Sequence, residues 1–487
     1  MQEIKPAAPW HEPAPVAFLA RSPSYPWMIV GTVCIGAFMG QVDASIAQLV
    51  LPELETEFQA RVSAVSWVAM AYLLTVAALL PIFGRLADIM GRKLLYSGGF
   101  LLFIIGSALC GFAPTLPALI GARVLQGVGA GLVQANSVAI IVAAVGGAHR
   151  GRAIGLQAAA QAVGLSAGPA LGGLLISSLG WRWVFFLNVP VGLLGTILGL
   201  LILPQTKTKG APPRFDWDGA ILLAPAMTAL MIVLNEAASW GLTSPALIGC
   251  LILAIALLAG FIWRELKAQS PLLDLSLFGD RAFSAGNVAG LLSYGILFGM
   301  FFLLPFAFER IYGLSSLKAG LRLTVIPIMI GCLAPVSGWL SDRIGARILT
   351  VGGMLITCLG LMLLLASLDG SPGMIWLVTL ALAVFGIGQG LFTAPNNSAI
   401  MASASADETG EAGGLLNLMR SFGMSTGIAA AAAVLSWELA ALSGQGVNML
   451  HASHADRIAA SHAVIILFAA FALLAGAVSF VRGRAAA

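Results

Sequence analysis

Fourteen apolar stretches, each about 18 to 28 residues long, follow one another along most of the chain. A helix needs about 20 mainly apolar residues to cross the hydrocarbon core of a bilayer. Charged residues make up only 9% of the chain, whereas soluble domains contain roughly 25%. The sequence therefore predicts an all-α polytopic membrane protein with fourteen spans, at residues 27–50, 64–83, 94–112, 116–140, 153–179, 184–203, 218–236, 246–263, 283–307, 319–340, 348–367, 374–401, 413–436 and 461–481.

The distribution of basic residues predicts the orientation in the membrane. If the N-terminus is cytoplasmic, most of the 25 lysines and arginines fall in inner loops, as the positive-inside rule requires. The net charge of +4 is then a topology signal rather than a sign of nucleic-acid binding. Residues 1–26 lack the apolar core and cleavage site of a signal peptide. We expect a multi-pass protein of the cell membrane (the inner membrane of a bacterium), with residues 1–26 and 482–487 as cytoplasmic tails.

A run of small residues, GLSAGPALGG, lies within the fifth stretch. Gly164 and Gly168 are one helical turn apart, so a neighbouring helix can approach that face closely. Pro169 removes a backbone donor and kinks or weakens a helix, and Gly172 and Gly173 extend the small face. We therefore predict a hinge in this membrane helix, with close helix packing alone as the alternative.

A ten-residue pattern occurs twice, after the second and after the tenth stretch. In each copy a Gly is followed by an Asp, a second Gly and basic residues. The first Gly allows close helix contact and the second a sharp turn, while the carboxylate can pair with a cation or cap a helix. We predict a gate at the cytoplasmic face, and two ordinary basic turns are the plainer alternative. The gate residues are Gly84, Asp88, Gly91 and Arg92 in the first copy and Gly338, Asp342, Gly345 and Arg347 in the second.

The repeat divides the chain into spans one to six, spans seven and eight, and spans nine to fourteen. Two six-helix halves in a parallel repeat, with the substrate between them, describe the major facilitator transport fold. The predicted segments are an N-terminal half at 27–203, an insertion of two extra central helices with cytoplasmic linkers at 204–282, and a C-terminal half at 283–481.

The chain resembles the fourteen-helix drug/proton antiporter branch of this superfamily (EmrB/QacA-type) over nearly all of residues 27–481. GxxxGPxxGG at 164–173 is the superfamily's antiporter motif, and it is complete here. Residues 123–129 match the family's R-x-x-Q-G-x-G element, and residues 181–192 resemble the branch's segment that enters span six. The resemblance implies the fourteen-helix fold and transport by export.

Two segments depart from the family pattern, at three positions. Ile89 stands directly after the Asp of the first gate copy, where the family usually has a basic residue. In the first span, Asp43 and Pro52 are kept, while Ser45 and Gln48 stand where the branch has Thr and Asn. The polarity of this segment survives, but the shape of the pocket differs.

Asp43 is the principal candidate for proton coupling, because an ionisable side chain within a span costs at least about 2.5–3.5 kcal/mol. At about 1.5 Å per residue, Asp43 lies roughly 20 Å from the inner end of span one and Arg123 roughly 10 Å below the outer end of span four. In a core about 30 Å thick these depths nearly coincide. We expect an Asp–Arg contact, direct or through Gln126 or water. A static lock without proton traffic, and an Arg123 that only holds helices together, are the open alternatives.

Other polar side chains within the spans are candidates for a substrate pathway, although each alone more often forms an interhelical hydrogen bond. The candidates are Gln41, Ser45, Gln48, Gln126, Gln157, Gln161, Asn287, Tyr294, Asn396 and Asn397, with Gln134, Asn136, Asn417 and Arg420 in the same class.

No enzyme motif is present, and the chain lacks a Walker phosphate loop, so we expect a proton gradient rather than ATP to supply the energy. We expect no cofactor. His451, His454 and Asp456 in the last outer loop lack metal-ligand spacing, and we expect no metal site.

The sequence thus predicts a proton-coupled efflux antiporter that exports amphipathic, cationic drugs or biocides by alternating access. Its expected partners are the lipid bilayer, small amphipathic substrates and protons, with no nucleic acid. By resemblance, a periplasmic adaptor is a further partner if the host has an outer membrane. The alternatives are an exporter of one specific endogenous metabolite or lipid and, more remotely, a non-transporting membrane sensor or partner subunit.

Overall fold

The computed structural model describes residues 12–146, 149–205, 216–241, 243–268, 272–404, 409–443 and 449–482. In these parts of the chain all regular secondary structure is helical, as the sequence predicts. The α-helices are α1 (Ala17–Ala20), α2 (Tyr25–Glu57), α3 (Val62–Met90), α4 (Arg92–Phe112), α5 (Leu116–Ala144), α6 (Arg150–Leu179), α7 (Arg182–Phe186), α8 (Asn188–Ile202), α9 (Trp217–Trp240), α10 (Pro245–Glu265), α11 (Arg281–Phe306), α12 (Ser316–Leu323), α13 (Val325–Ile344), α14 (Ala346–Ser367), α15 (Ile375–Ala402), α16 (Thr409–Ser443) and α17 (His454–Val481).

Among the described residues, 14 helical segments are long and apolar enough to cross a membrane, and each coincides with a predicted span. The sixth span joins α7 to α8, and the tenth joins α12 to α13. A single π-helical turn, Ala307–Ile311, extends α11. Below, the inner face is the one where the first span begins and the last span ends, and the outer face is the opposite one.

Polar turns at the membrane surface account for the largest differences from the predicted bounds. α2 continues to Glu57 and α17 begins at His454, several residues beyond the apolar stretches that predicted them. The hydroxyl of Ser453 caps α17 by accepting a hydrogen bond from the backbone N–H of Asp456. Such turns contain charged residues, so apolar length alone does not reveal them.

Close backbone contact at glycines holds each half together. Where α4 crosses α5, a Cβ added to Gly129 would lie within 3.0 Å of the backbone of Phe103. Where α14 crosses α15, a Cβ on Gly388 would lie equally close to the backbone of Thr357. In a membrane such packing replaces the hydrophobic effect as the main attraction between helices.

The two halves meet along three pairs of spans: α2 with α11, α3 with α16, and α6 with the span formed by α12 and α13. The two extra helices attach to this body through α9, which packs against α3 and α16, while α10 packs on α9. Ser66 on α3 donates a hydrogen bond to Asn235 on α9 at 2.9 Å, and Trp67 donates to Glu236 at 2.9 Å.

Candidate functional site

A buried polar cluster surrounds Asp43 at the centre of the N-terminal half. The Nη1 of Arg123 donates to Oδ2 of Asp43 at 2.7 Å. The side-chain amides of Gln126 and Asn188 each donate to Oδ1 at 2.8 Å. All four side chains are at most 2% exposed. The direct Asp–Arg contact expected from the matching depths of the two residues is therefore confirmed.

Arg123 makes further contacts around the ion pair. Its Nε donates to the carbonyl of Val68 on α3 at 2.9 Å, and its Nη1 also donates to Oε1 of Gln126 at 2.7 Å. The guanidinium carbon lies 4.3 Å from the centre of the Tyr72 ring, a cation–π geometry. Since a buried charge is stable only when it is paired and hydrogen-bonded, this arrangement fixes α2, α3 and α5 relative to one another.

Two members of the cluster were not among the predicted site residues. The amide of Asn188 and that of Gln126 both donate to the hydroxyl of Ser107, at 3.1 and 3.2 Å. That hydroxyl in turn donates to the carbonyl of Phe185 at 2.8 Å. Asn188 is the first residue of α8, and a single residue, Leu187, separates it from the end of α7. Its place within the segment 181–192 was the available signal, but the sequence does not show which way the side chain points.

An open cavity lies between the halves, next to this cluster, with about 630 Å³ of empty space when the adjoining open solvent is counted. Its wall on the N-terminal half includes Tyr72 and Phe103, and its wall on the C-terminal half includes Arg420 and Met424. Tyr72 therefore separates the cavity from Arg123, since its ring contacts the guanidinium and also lines the cavity. Asp43 itself is fully buried behind this ring and is not part of the lining.

The predicted pathway residues are divided between the cavity and the helix interfaces. The cavity is lined by Gln41, Gln157 and Gln161, together with Gln134. Tyr294 is outside the lining, but the centre of its ring lies 6.0 Å from the guanidinium carbon of the lining residue Arg420. The other predicted pathway residues are not in the lining: Ser45, Gln48, Gln126, Asn287, Asn396 and Asn397.

Several of these excluded side chains have clear structural roles. The hydroxyl of Ser45 donates to the carbonyl of Gln41, one turn earlier in α2. Asn287 donates to the carbonyl of Phe283 in its own helix. Asn396 donates to the carbonyl of Gly286 and accepts a hydrogen bond from Arg482. In this conformation these side chains therefore bond to the backbone or to neighbouring side chains outside the cavity lining, and their part in a substrate pathway stays a prediction.

The predicted hinge, residues 164–173, lies where α6 contacts α2 of its own half and α12 of the other half. A Cβ on Gly164, Gly168 or Gly172 would press into α2, and one on Gly173 would press into the backbone of α12. The carbonyl of Pro169 lies against Gly320 of α12. The predicted close approach is confirmed, and it involves two neighbouring helices. Pro169 does not interrupt α6, which is helical from Arg150 to Leu179.

The two gate copies form sharp turns at the inner face. Gly91 has φ 98° and Gly345 has φ 87°, values that favour glycine, so the predicted turns are confirmed. Gly84 and Gly338 are expected to allow close helix contact, but a Cβ on either would meet nothing within 4 Å. That part of the prediction is wrong for the present conformation.

The charged residues of the second gate copy do not close it. Asp342 is exposed and has no hydrogen bond or ion pair among the described residues. Arg347 lies over the ring of Phe480, 4.3 Å from its centre. In the first copy, Arg92 begins α4, whereas the side chain of Asp88 lies outside the described residues.

An outer latch, formed by Glu55, Thr56, Arg310, Leu450 and Arg457, joins the halves at the opposite face. Glu55 of α2 is fully buried, 3.5 Å from Nε of Arg310 in the π-helical turn. Arg310 also donates to Thr56 at 2.6 Å, and the backbone N–H of Leu450 donates to Glu55 at 3.3 Å. Arg457 donates to the carbonyls of Arg310 and Leu450, at 2.7 and 2.9 Å. No pattern in the sequence predicted this latch, because its residues lie at the polar ends of spans.

Exposure along α6 shows which face is open. Between residues 164 and 176 only Leu174 is exposed, whereas most residues between 151 and 163 are exposed. In the inner part of α13, residues 331–344, half of the residues are exposed. The halves are therefore closed together at the outer face and separated at the inner face. Within the described residues, no group of three or more His, Cys, Asp or Glu side chains is arranged to hold a metal ion.

The sequence matches the Major Facilitator Superfamily over residues 33–428. It is 35% identical to the riboflavin transporter RibZ of Clostridioides difficile over 406 residues, 83% of this chain and 87% of that protein. It is 32% identical to the multidrug resistance protein Stp of Mycobacterium tuberculosis over 408 residues, 84% of this chain and 75% of that protein. The crystal structure of PepTSo, a transporter of the POT family, superposes with a TM-score of 0.69 at 14% identity, covering 95% of this chain and 98% of that one.

Proposed function

Because the chain belongs to the Major Facilitator Superfamily and is a multi-pass membrane transporter, we propose that it exports amphipathic small molecules in exchange for protons. The observation that carries this proposal is the buried contact between Asp43 and Arg123. A carboxylate at this depth is costly and marks a functional group, and it lies directly behind the cavity wall at Tyr72. We propose the inner cell membrane as its location, with both termini in the cytoplasm and the proton gradient as the energy source.

Protonation of Asp43 supplies a physical means of coupling. The ionised carboxylate accepts hydrogen bonds from Arg123 and Gln126 of α5 and from Asn188 of α8. A proton on Asp43 removes the charge attraction to Arg123 and one accepting position. α2 then holds less firmly to α5 and α8. Since α2 also carries Glu55 of the outer latch, its movement reaches the outer face.

The transport cycle follows from this connection. With Asp43 ionised and the inner face open, the substrate enters the cavity from the cytoplasm. The halves then rock about the α6 crossing, the outer latch opens, and a proton from outside reaches Asp43 as the substrate leaves. The protonated carrier returns to the inner-open state and releases its proton inside. The substrate does not compete directly for Asp43, because Tyr72 lies between them.

The two relatives support different candidate functions, a transporter of many substrates and a transporter of one. The relative named a multidrug resistance protein favours varied amphipathic substrates, and the complete antiporter motif at 164–173 favours export. The relative named a riboflavin transporter supports the second candidate, a dedicated exporter of one aromatic metabolite. The predicted preference for cations has no support in the cavity, since none of its described lining residues is acidic.

Transport in proteoliposomes tests the proton coupling. The purified protein and its Asp43→Asn variant are reconstituted, a pH gradient is imposed, and accumulation of riboflavin and of a panel of amphipathic dyes is followed. We expect the variant to lose uphill transport but to retain downhill exchange, because the cavity is intact. Asp369→Asn, in an exposed loop, is the matched control. Uphill transport by Asp43→Asn would contradict the proposal.

Substrate breadth separates the two candidates. A deletion strain that becomes sensitive to many unrelated dyes and biocides supports a multidrug exporter. A strain that is unchanged in sensitivity but accumulates one compound supports the dedicated exporter.

A further inference from the structure

The cavity is apolar over much of its wall and carries a single charged side chain among its described lining residues. Tyr72 and Phe103 supply aromatic surface, and Met39 and Met424 supply adaptable apolar surface. The amides of four glutamines, at positions 41, 134, 157 and 161, lie around the same space. An amide both donates and accepts hydrogen bonds, so these groups suit carbonyl, imide or hydroxyl edges.

The charged side chain is Arg420 of α16, and its charge is not neutralised by any described acidic residue. Its Nη1 donates to Oε1 of Gln161 at 3.5 Å, a long hydrogen bond to a neutral group. Its Nε is buried and has no hydrogen-bond partner among the described residues. A guanidinium always carries its charge in proteins, and a charge within a membrane is stable when it is paired. Arg420 therefore presents an unmatched positive charge beside the cavity.

The carboxylate of Asp43 does not neutralise the positive charge of Arg420. Asp43 is fully buried, and its two oxygens already accept hydrogen bonds from Arg123, Gln126 and Asn188. The ring of Tyr72 lies between Arg123 and the cavity. A cationic substrate would thus meet Arg420 without an acidic partner, whereas an anionic one would complete the coordination of Arg420.

We infer that the transported compound is aromatic and carries an anionic oxygen, such as a carboxylate, phenolate or enolate, that binds Arg420. The aromatic ring lies against Tyr72 and Phe103, and polar edges of the compound bind the glutamine amides. This inference deepens the proposed function, on which it rests, by naming the class of substrate. It also replaces the expected preference for cationic drugs.

A pair of xanthene dyes tests the charge preference with nearly constant shape. Fluorescein is anionic and rhodamine 123 is cationic at pH 8, and both are followed by fluorescence anisotropy against the full-length protein in nanodiscs, without a proton gradient. We expect the wild-type protein to bind fluorescein more tightly. Arg420→Gln should weaken fluorescein binding by roughly tenfold or more, since a hydrogen bond to a charged group contributes about 1.5–3 kcal/mol. Binding of rhodamine 123 should be unchanged or tighter.

Two further variants make the test specific. Arg420→Lys keeps the charge but loses the planar fork of donors, so its fluorescein affinity should fall between those of the wild type and Arg420→Gln. Arg322→Gln removes a cation that instead contacts Ile375 and Thr379, and it should bind both dyes like the wild type. If Arg420→Gln does not elute as a monodisperse protein, the Arg420→Lys variant decides the question.

Three results would overturn the inference: tighter binding of rhodamine 123 than of fluorescein to the wild type, no binding of fluorescein, or fluorescein binding that is unchanged in both Arg420 variants. These outcomes are independent of proton coupling. If Asp43→Asn still transports uphill while fluorescein binding depends on Arg420, the proposed function fails and the charge preference stands. If Asp43→Asn loses uphill transport while Arg420 has no effect on binding, only the charge preference fails.

Discussion

The centres of the two halves share a packing scheme but differ in charge. In the N-terminal half, Asp43 and Arg123 form a fully buried ion pair. In the C-terminal half, the corresponding contact between α11 and α15 is neutral: Ser293 donates to Oε1 of Gln389 at 2.7 Å. The Nε2 of Gln389 is buried and has no partner among the described residues. The glycine crossings at Gly129 and Gly388, by contrast, are closely alike.

This difference suits different roles for the two halves in the proposed cycle. The buried ion pair lies at the centre of the N-terminal half, so the proposed protonation of Asp43 would act on that half first. The C-terminal half contributes other charges, Arg420 beside the cavity and Arg310 in the outer latch. In the proposed function, the proton would bind inside the N-terminal half, while the charged residue described in the cavity lining belongs to the C-terminal half.

The largest expected difference between the halves concerns stability. Arg123→Leu leaves Asp43 buried without its cation, and loss of one partner of a buried pair costs about 3–5 kcal/mol. Gln389→Leu removes only a neutral hydrogen bond, so we expect a loss of about 1 kcal/mol. Reversible unfolding in mixed detergent micelles, followed by tryptophan fluorescence, measures both free energies of unfolding.

A double variant provides the control for this comparison. Asp43→Asn with Arg123→Leu removes both charges, and replacing a buried pair by neutral groups is often close to neutral in stability. We expect the double variant to regain most of the stability lost in Arg123→Leu. Equal instability of the single and double variants would show that the charge is not what distinguishes the two halves.

The second prediction tests the feature that the halves share. Gly129→Ala and Gly388→Ala each place a Cβ within 3.0 Å of a neighbouring backbone, and overpacking costs typically about 1–3 kcal/mol. We expect similar losses in the same unfolding assay. Gly98→Ala and Gly352→Ala are matched controls in the partner helices, because a Cβ there meets nothing within 4 Å. A large effect in only one half would show that the scaffolds are not equivalent.

Features that depend only on the length of an apolar stretch, or on the depth of a residue within a span, could be predicted from the sequence. Apolar length located every span, and counting residues from the ends of two spans brought Asp43 and Arg123 to the same depth. The small-residue run in the fifth span predicted close helix contact, and the structure contains it at Gly164 and Gly168. Each of these properties belongs to one helix, or to a distance along it, so it can be predicted without knowledge of the tertiary structure.

What depends on the neighbours that a helix face meets at each depth could not be obtained in this way. Gln41 and Gln48 are two turns apart and so share a face of α2, yet the first lines the cavity and the second is fully buried outside its lining. Asn188 contacts Asp43 across the packing of α8 on α2, which no property of α8 alone indicates. Whether Gly84 and Gly338 contact another helix depends on the conformational state. The sequence is the same in every state, so it cannot indicate which contacts are present in one of them.

The third prediction concerns transport and separates the two centres by chemistry. Asn188→Ala removes one N–H donor to Oδ1 of Asp43, whereas Ser293→Ala removes the neutral contact at the corresponding place in the C-terminal half. We expect Asn188→Ala to slow uphill transport by roughly tenfold, which corresponds to about 1.4 kcal/mol, and Ser293→Ala to transport at close to the wild-type rate. Initial rates in proteoliposomes under an imposed pH gradient measure both. An equal loss in both variants would contradict the proposed assignment of proton binding to the N-terminal half.

The fourth prediction has the smallest expected effect and compares the turns at Gly91 and Gly345 at the inner face. Oε1 of Glu12 accepts hydrogen bonds from the backbone N–H groups of Lys93 and Leu94, at 3.1 and 3.4 Å, just after Gly91. A carboxylate in this position satisfies otherwise unpaired N–H groups and favours the helix dipole. At Gly345, the corresponding turn of the C-terminal half, a Cβ would meet nothing within 4 Å, so a comparable cap is not in place.

Hydrogen exchange measures this local difference directly. Glu12→Ala should cost about 1 kcal/mol at the start of α4, which corresponds to roughly fivefold faster exchange of the backbone amides of Lys93 and Leu94. Asp342→Ala, the matched change beside the other turn, should leave exchange at the start of α14 unaltered, since Asp342 is exposed and makes no contact there. Equal acceleration at both helix starts, or none at α4, would show that the N-terminal segment does not stabilise this turn. In that case the two inner turns would be equivalent, and the asymmetry between the halves would be confined to their centres.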